Sequence, residues 1–293
     1  MIIEARNLSH TYMKGTPLAK QALHDVNLGI EEGEFVGVIG RTGSGKSTLV
    51  QHFNGLLKPG SGQILVGGRD IWERGVAIRD IRRMVGLVFQ YPEHQLFEET
   101  VFADVAFGPR NMGLSEPDVE DAVREAMRMV NLEFDSLRDR SPFELSGGQK
   151  RRAAIAGVLA MRPKVLVLDE PTAGMDPRGR EEVLGHVRQL HDEHGLTIVL
   201  VSHSMEDVAR LADRLIVVDQ GAVVMNGTPR EVFAHPGELT RMGLGVPQVT
   251  QVVAELAARG YKFRTDAVTV GEALDTLLPA LLDAKKGAKG VGA

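Results

Sequence analysis

The stretch that decides the fold is Gly40-Arg41-Thr42-Gly43-Ser44-Gly45-Lys46-Ser47-Thr48. It satisfies the pattern G-x-x-x-x-G-K-[ST], and it lies between an apolar run that ends at Ile39 and an apolar segment with helical spacing. Glycines allow backbone amides to converge on an anion, and the start of the following helix adds partial positive charge. The pattern therefore predicts a nucleotide-binding loop in which Lys46 contacts the β- and γ-phosphates and Ser47 coordinates Mg²⁺.

Short apolar runs bounded by glycine and separated by helical segments recur on both sides of this loop. This pattern indicates an α/β domain with a mostly parallel core sheet. Buried strands are expected at 35–39, 85–89, 165–168, 197–201 and 215–218. A turn at 219–221 before the short β-rich run 222–225 predicts a hairpin. Apolar spacing over 115–130, with Ser115 as N-cap, predicts an amphipathic helix.

The composition excludes several classes of function. The chain has 293 residues, 34 Lys+Arg against 39 Asp+Glu, a formal net charge of −5 and no Cys. General electrostatic binding to nucleic acid is disfavoured because it needs clustered basic residues, and disulfides and cysteine zinc sites are excluded. No basic leader with an apolar run opens the chain, and no stretch approaches the ~20 apolar residues that cross a bilayer. We therefore expect a cytoplasmic protein.

A pair of carboxylates, Asp169 and Glu170, follows the apolar run 165–168. Ligands bind at the carboxyl ends of the strands of a parallel sheet. Asp169 is therefore a candidate ligand for Mg²⁺, directly or through water, and Glu170 a candidate base for the water that attacks the γ-phosphate. Alone, such a pair is more often a solvated turn, so this interpretation depends on its combination with the phosphate-binding loop.

A second glycine-containing motif is Leu145-Ser146-Gly147-Gly148-Gln149, which opens a predicted helix from Gln149 to Met161. It provides a second helix N-terminus that can bind an anion. Two such features in one domain suggest two halves of a split site. With this pentapeptide, the region 1–230 resembles the ATP-binding subunits of ABC transporters, in which the same pentapeptide is the signature motif.

The resemblance implies functional roles for particular residues, with ATP and Mg²⁺ as ligands. The matching positions are the Walker A loop Gly40 to Thr48, the adenine-stacking Tyr12, the Q-loop Gln90, which is also a Mg²⁺ ligand, the Walker B pair Asp169 and Glu170, the D-loop Asp176 and the switch His203. Taken singly, Tyr12, Gln90 and His203 are also compatible with a surface aromatic, a strand-end cap and a turn histidine. Their occurrence together favours the functional interpretation.

In this family two subunits meet head to tail, and each ATP lies between the phosphate loop of one and the signature motif of the other. The resemblance thus implies that Leu145 to Gln149 and Asp176 act in trans. Phosphoryl transfer needs positioned charge more than covalent chemistry, so a donor-rich helix start from a partner serves a role like that of an arginine finger. Dimerisation is then part of catalysis.

The segment that begins Gln90-Tyr91-Pro92-Glu93-His94-Gln95-Leu96-Phe97 resembles the ATPase of energy-coupling factor (ECF) transporters, most closely the second of its two paralogues. The segment 245–250 resembles the C-terminal region of the same ATPase. These importers take up vitamins or transition-metal ions such as cobalt and nickel. The implied partners are a second ATPase subunit, either a paralogue or a copy of this chain, a transmembrane coupling subunit and a substrate-binding membrane subunit, without nucleic acid. The implied location is peripheral, on the cytoplasmic face of the cell membrane.

A docking surface for such a partner is expected just after Gln90. The apolar side chains predicted to be exposed there are Tyr91, Leu96, Phe97, Phe102 and Phe107. Docking is assigned to Leu96 and Phe97, whereas Phe102 and Phe107 are alternatively core residues of a helical subdomain at 91–160.

The predicted organisation is a P-loop NTPase of the ABC type at 1–230, with an antiparallel β subdomain beside the helical one. A C-terminal helical extension at 231–284 contains helices at 247–258 and 269–284, and a disordered tail is expected at 285–293. Two alternatives stay open at this point: the ATPase of an ordinary ABC importer, and a soluble ABC ATPase without a transport role.

Overall fold

The computed structural model describes residues 1–261 and 263–289, the stretch 281–289 by its backbone alone. The strands are β1 (Ile3–Tyr12), β2 (Lys20–Ile30), β3 (Phe35–Ile39), β4 (Ser61–Val66), β5 (Arg69–Asp70), β6 (Val85–Val88), β7 (Val165–Asp169), β8 (Thr197–Val201), β9 (Arg214–Asp219) and β10 (Ala222–Gly227). The helices are α1 (Lys46–Phe53), α2 (Ile78–Met84), α3 (Val101–Asn111), α4 (Glu116–Met129), α5 (Phe134–Leu137), α6 (Gly147–Leu159), α7 (Pro177–His194), α8 (Met205–Leu211), α9 (Pro229–Phe233), α10 (Pro236–Arg241), α11 (Gln248–Ala258) and α12 (Val270–Lys289). Short 3-10 helices cover Pro92–Gln95 and Pro142–Glu144.

The central sheet has six strands in the order β10-β9-β3-β8-β7-β6, parallel except for the β9–β10 hairpin. Its inner strands are buried on both faces. Phe35 and Ile39 of β3 contribute to the core beneath the helices, whereas Val36 and Val38 contribute to a second core beneath α1. Strands buried on both faces read as continuous apolar runs. The sequence therefore locates these strands closely, and the mostly parallel sheet is confirmed.

The second sheet is antiparallel, in the order β2-β1-β4-β5. The sequence predicts an antiparallel subdomain but places no strand in it. Register shifts interrupt the β1–β2 pairing between Ala5 and Leu8 and between His10 and Thr11, and Asn7 has a positive φ of 48°. Such bulges break the strict alternation by which a half-buried strand is found. This sheet brings Tyr12, at the end of β1, close to α1.

The helical subdomain contains α3 to α6 and packs on one face of the central sheet. Ser115 caps α4, as predicted, by accepting the Asp118 N–H. Val119 and Val123 of the apolar stripe are fully buried. Helix α6 begins at Gly147, two residues before the predicted start at Gln149, because the Ser146 side chain caps it.

The C-terminal region differs from the prediction in two places. Residue 230, the expected end of the ATPase domain, lies inside α9, whose Phe233 packs in the main core together with Leu239 of α10. A separate small core begins only with α11 and contains Val253 and Ala273. Helix α12 continues to Lys289, where a disordered tail from 285 is expected, because Ala284, Lys285 and Lys286 favour helix. The remainder of that tail, 290–293, lies outside the described residues. Among the described helices, none has the length and apolar character needed to cross a membrane.

Candidate active site

The phosphate-binding loop connects β3 to α1 and requires glycine at its two ends. Gly45 has a φ of 109°, and a Cβ there would lie 2.6 Å from the Ala22 carbonyl oxygen. A Cβ on Gly40, with a φ of 158°, would lie 2.2 Å from the Val218 carbonyl oxygen. Only glycine fits such positions. Helix α1 then starts without a side-chain cap, so its first amides stay available to an anion.

Lys46 lies in the centre of the loop. Its Nζ donates to the carbonyl oxygens of Gly40 at 2.7 Å and Arg41 at 3.0 Å. Burial lowers the pKa of Lys46, and the nearby carboxylates Glu170 and Asp169 partly counter this effect. The ammonium is thus held between the loop and the acidic end of β7. A phosphate in the loop would meet it directly.

The acidic pair lies at the carboxyl end of β7. Asp169 is its last residue and is buried, with 6% of its surface exposed. Burial raises the pKa of the Asp169 carboxyl, and a polar contact with Ser47 acts against this rise. A hydroxyl and a carboxylate are hard oxygen donors of the kind that Mg²⁺ takes together with phosphate oxygens and water. The residues present therefore fit this ion.

Two of the other predicted residues converge on the Glu170 carboxylate. Gln90 Nε2 donates to Glu170 Oε2 at 3.1 Å, and His203 Nδ1 lies 3.5 Å from the same oxygen. Glu170 itself has a φ of 48°, a conformation that non-glycine residues rarely adopt. Such local strain is concentrated at functional sites. The turn after β7 therefore holds this carboxylate between the ends of two other strands, β6 and β8.

A cleft of about 400 Å³ lies in front of these groups. Its lining consists of Gly40, Arg41, Thr42, Lys46, Glu170, His203, Met205, Gly243, Leu244 and Gly245. The segment 243–245 is the part that sequence reasoning missed. A Cβ on Gly243 would lie 2.9 Å from the Arg41 side chain, so this glycine permits the close approach. Its glycines between two helical stretches were the available signal.

Tyr12 borders a separate, smaller pocket of about 170 Å³ with Gly43, Ser47 and Thr48 in its lining. The Tyr12 hydroxyl lies 3.1 Å from Thr48 Oγ1, and 38% of the residue is exposed. Tyr12 thus presents an exposed aromatic ring beside the loop, in a pocket whose lining does not include Glu170.

The signature pentapeptide lies apart from this cleft in the same chain. Leu145 is buried, whereas Ser146 and Gln149 cap α6 reciprocally: Ser146 N donates to Gln149 Oε1 at 3.0 Å, and Gln149 N to Ser146 Oγ at 3.3 Å. A Cβ on Gly147 or Gly148 would meet nothing within 4 Å. Packing within one chain therefore does not require glycine at these two positions.

Asp176, the predicted D-loop residue, also lies outside the cleft lining. It is the N-cap of α7, and its Oδ1 accepts the N–H groups of Arg178 and Gly179, both at 3.0 Å. The hydrogen bond from Gly179 is the main cause that lowers the pKa of Asp176. The carboxylate is thus ionised and fixed at the start of α7.

The predicted docking residues divide into two groups. Leu96 is buried, with 8% exposed, contrary to expectation, because Asp104 accepts the N–H groups of Phe97 and Glu98 and holds this segment against α3. Phe97 and Phe107 are 59% and 46% exposed and pack edge to face, with ring centroids 5.0 Å apart. Tyr91 is exposed too, whereas Phe102 is partly buried against the core.

Comparisons with known proteins agree with this architecture. Residues 23–173 match the family model described as ABC transporter. The energy-coupling factor transporter ATP-binding protein EcfA2 of Caldanaerobacter subterraneus is 54% identical over 97% of this chain and 99% of its own length. The protein of the same name from Clostridium perfringens is 54% identical over 95% of this chain and 98% of its own.

Solved structures give the same result. CbiO1 from Clostridium perfringens, described as part of the ABC transporter complex CbiONQ, superposes with a TM-score of 0.71 and 41% identity, covering 82% of this chain and 93% of that one. A dimeric ATP-binding cassette in a post-hydrolysis state with ADP and Pi gives 0.68 and 31% identity over 78% and 98%.

The fold and the phosphate-binding site define an ABC-type ATPase. Within that class, the 54% identity with the two relatives above, over nearly the full length of this chain, identifies a particular family. The chain belongs to the ATP-binding proteins of energy-coupling factor transporters, of the second-paralogue type.

Proposed function

We propose that the protein binds and hydrolyses ATP as the energising subunit of an energy-coupling factor importer, and so drives uptake of a vitamin or a transition-metal ion through membrane partners. The observation that carries the proposal is the convergence of Gln90 and His203 on the Glu170 carboxylate at the mouth of the phosphate-binding cleft. A base, an amide and an imidazole meet where the terminal phosphate of a nucleotide in the loop would lie.

The phosphate-binding loop and the residues around it hold the nucleotide for hydrolysis. Gly40 to Thr48 wrap the phosphates, Lys46 neutralises the β- and γ-oxygens, and Tyr12 stacks on the base. Ser47, Asp169 and Gln90 would hold Mg²⁺, which shields phosphate charge when bound. Glu170 Oε2 orients a water and accepts its proton, while His203 stabilises the charge that develops nearby.

The second half of each site comes from a partner ATPase subunit. Open space around Gly147 and Gly148 supports close approach of a partner's nucleotide to the start of α6. Leu145, Ser146 and Gln149 would hold that helix start, and Asp176 the neighbouring segment, in a head-to-tail dimer. Binding of ATP closes the dimer, and loss of the γ-phosphate releases it.

The membrane partners dock in an apolar groove of about 490 Å³ on the helical subdomain, hereafter the docking groove. Its lining includes Arg79, Arg82, Arg83, Phe97, Phe107, Val158 and Met161. A lining that combines apolar side chains with three arginines suits an amphipathic helix. The transmembrane coupling subunit supplies that helix and brings the substrate-binding subunit, which places this protein on the cytoplasmic face of the membrane.

A reconstitution experiment tests this function. The full chain is co-expressed with candidate coupling and substrate-binding subunits, purified in detergent and placed in vesicles with ATP on the side of the ATPase. We expect a stable complex and ATP-dependent substrate uptake. ATP hydrolysis by a protein that forms no complex with membrane subunits would contradict the transport role and favour a soluble ATPase.

The docking groove is tested separately with Phe97→Asp. A charge at this exposed aromatic should lower recovery of the membrane complex at least tenfold, because Phe97 lines the groove. Nucleotide binding by the isolated protein should not change. Val224→Asp, at an exposed apolar residue of β10, is the matched control. Equal loss of the complex in both variants would contradict the assignment of the groove.

A further inference from the structure

The guanidinium of Arg151 is the most densely hydrogen-bonded buried charge near the site. Arg151 lies two residues after Gln149 on α6 and is 4% exposed. Its Nε and Nη2 donate to Glu93 Oε2 at 2.8 Å and Oε1 at 2.9 Å. Nη1 donates to the Pro171 carbonyl oxygen at 3.0 Å, and Nη2 to that of Ala173 at 2.6 Å.

These four hydrogen bonds connect three separate segments. Glu93 lies in the 3-10 helix three residues after Gln90, and Pro171 and Ala173 lie one and three residues after Glu170. Arg151 itself belongs to the helix that the signature motif begins. The Arg151 side chain therefore contacts the segment after Gln90 and the turn after Glu170. Arg151 itself extends from the helix that is presented to the partner's nucleotide.

The chemistry of this contact is specific to arginine. The planar fork of a guanidinium matches a carboxylate with two parallel hydrogen bonds, whereas a lysine ammonium supplies the charge without that geometry. Burial would raise the pKa of Glu93, but the hydrogen bonds and charge of Arg151 lower it below its ordinary value. The pair is ionised, and its rigidity follows from four directed bonds in a buried environment.

We propose that Arg151 is a positioning residue that couples the two composite ATP sites of the dimer, each of which is formed by the phosphate loop of one subunit and the signature motif of the other. When the start of α6 engages the partner's nucleotide, Arg151 transmits its position to the Gln90 segment and to the turn that carries Glu170. Occupancy of one composite site thereby favours hydrolysis at the other, which makes turnover cooperative in ATP. This inference rests on the proposed function, because it assumes hydrolysis in a head-to-tail dimer.

The test uses the full chain with Arg151→Lys, which keeps the charge and removes the fork. This variant is preferred because loss of the charge would leave Glu93 partly buried without its partner and destabilise the fold. We expect kcat to fall about tenfold and the Hill coefficient for ATP to fall towards one, with KM within about twofold of wild type. Arg110→Lys is the control, since Arg110 and Glu116 form a similar two-pronged but exposed pair in the same subdomain.

A readout without turnover separates coupling from the proposed function. Hydrogen–deuterium exchange of the segments 90–95 and 170–176 should be faster in Arg151→Lys than in wild type, even without nucleotide. Wild-type kcat and Hill coefficient in a variant that only melts at lower temperature would overturn the proposal, as would unchanged exchange in both segments. Absence of ATP hydrolysis in the wild type would instead contradict the proposed function.

Discussion

The two glycine-rich helix starts of this molecule, at α1 and α6, look alike in sequence and differ in structure. Helix α1 follows Gly45, a residue in a left-handed conformation whose missing side chain leaves the first amides without an internal partner. Helix α6 follows Ser146, which forms a complete capping box with Gln149. The first start is packed against Ala22 and Val218, and the glycines of the second face open space.

The two helix starts therefore also differ in what surrounds them within their own chain. The α1 loop has Lys46, Ser47 and Asp169 around it and a cleft in front of it. The start of α6 is capped by Ser146, and none of the residues 145–149 lines that cleft. A helix start that is structurally self-sufficient yet keeps two unobstructed glycines fits a surface that another molecule approaches.

Among the proposed variants, Glu170→Gln should lower turnover the most. The amide cannot accept the proton from water, so turnover should fall by about 10³-fold, within the range for loss of a general base. Nucleotide binding at α1 should persist, and the closed dimer, with α6 engaged, should accumulate. Steady-state hydrolysis, nucleotide titration and size-exclusion chromatography with ATP measure the three quantities. Undiminished turnover would show that the base is another residue.

A pair of glycine variants tests the comparison directly. Gly45→Ala forces a Cβ into the Ala22 carbonyl at a φ of 109°, so nucleotide affinity of the single subunit should fall by about 100-fold. Gly147→Ala meets nothing within its own chain, so that affinity should stay within about twofold while dimer turnover falls by about 100-fold.

Two measurements distinguish the glycine variants. Fluorescent-nucleotide titration is done at concentrations where the protein is monomeric, and turnover is assayed at high protein concentration. Ser146→Ala adds a smaller effect, since loss of a helix N-cap costs about 1 kcal/mol of stability. Loss of single-subunit nucleotide binding in Gly147→Ala would contradict action in trans.

Much of the site was predictable because its motifs are contiguous and stand at strand ends. The strands that lead into the phosphate-binding loop, the Asp169–Glu170 pair and His203 are continuous apolar runs, and parallel pairing brings their carboxyl ends to one edge. Sequence could not show that Gln90 and His203 meet at one oxygen of Glu170, because that depends on the orientation of three separate turns.

The parts that escaped prediction depend on contacts distant in the chain. Leu96 was expected on the surface, yet Asp104 fixes the backbone beside it and turns it inward. The segment 243–245 reaches the cleft because α9 and α10, at and beyond residue 230, pack into the main core. Neither local periodicity nor a motif carries that information.

The last prediction concerns stability rather than turnover, namely the pH dependence that His52 of α1 gives to the free energy of unfolding. His52, in the last turn of α1, is fully buried, and its Nδ1 donates to the Thr48 carbonyl oxygen at 2.7 Å. Burial lowers the pKa of His52 from 6.5 to about 4, with the neighbouring His10 acting in the same direction. Within the described residues, Nε2 of this ring has no hydrogen-bond partner.

The direction of the effect follows from the lowered pKa. The unfolded chain binds a proton at His52 near pH 6.5 and the folded state only near pH 4, so stability is fully present above pH 6.5 and declines as the pH falls towards 4. This contribution is about 3 kcal/mol at most, from about 1.4 kcal/mol per pKa unit. His52→Met should flatten the decline in urea-unfolding free energy between pH 6.5 and 4. Identical slopes in wild type and His52→Met would show that His52 is not the titrating group.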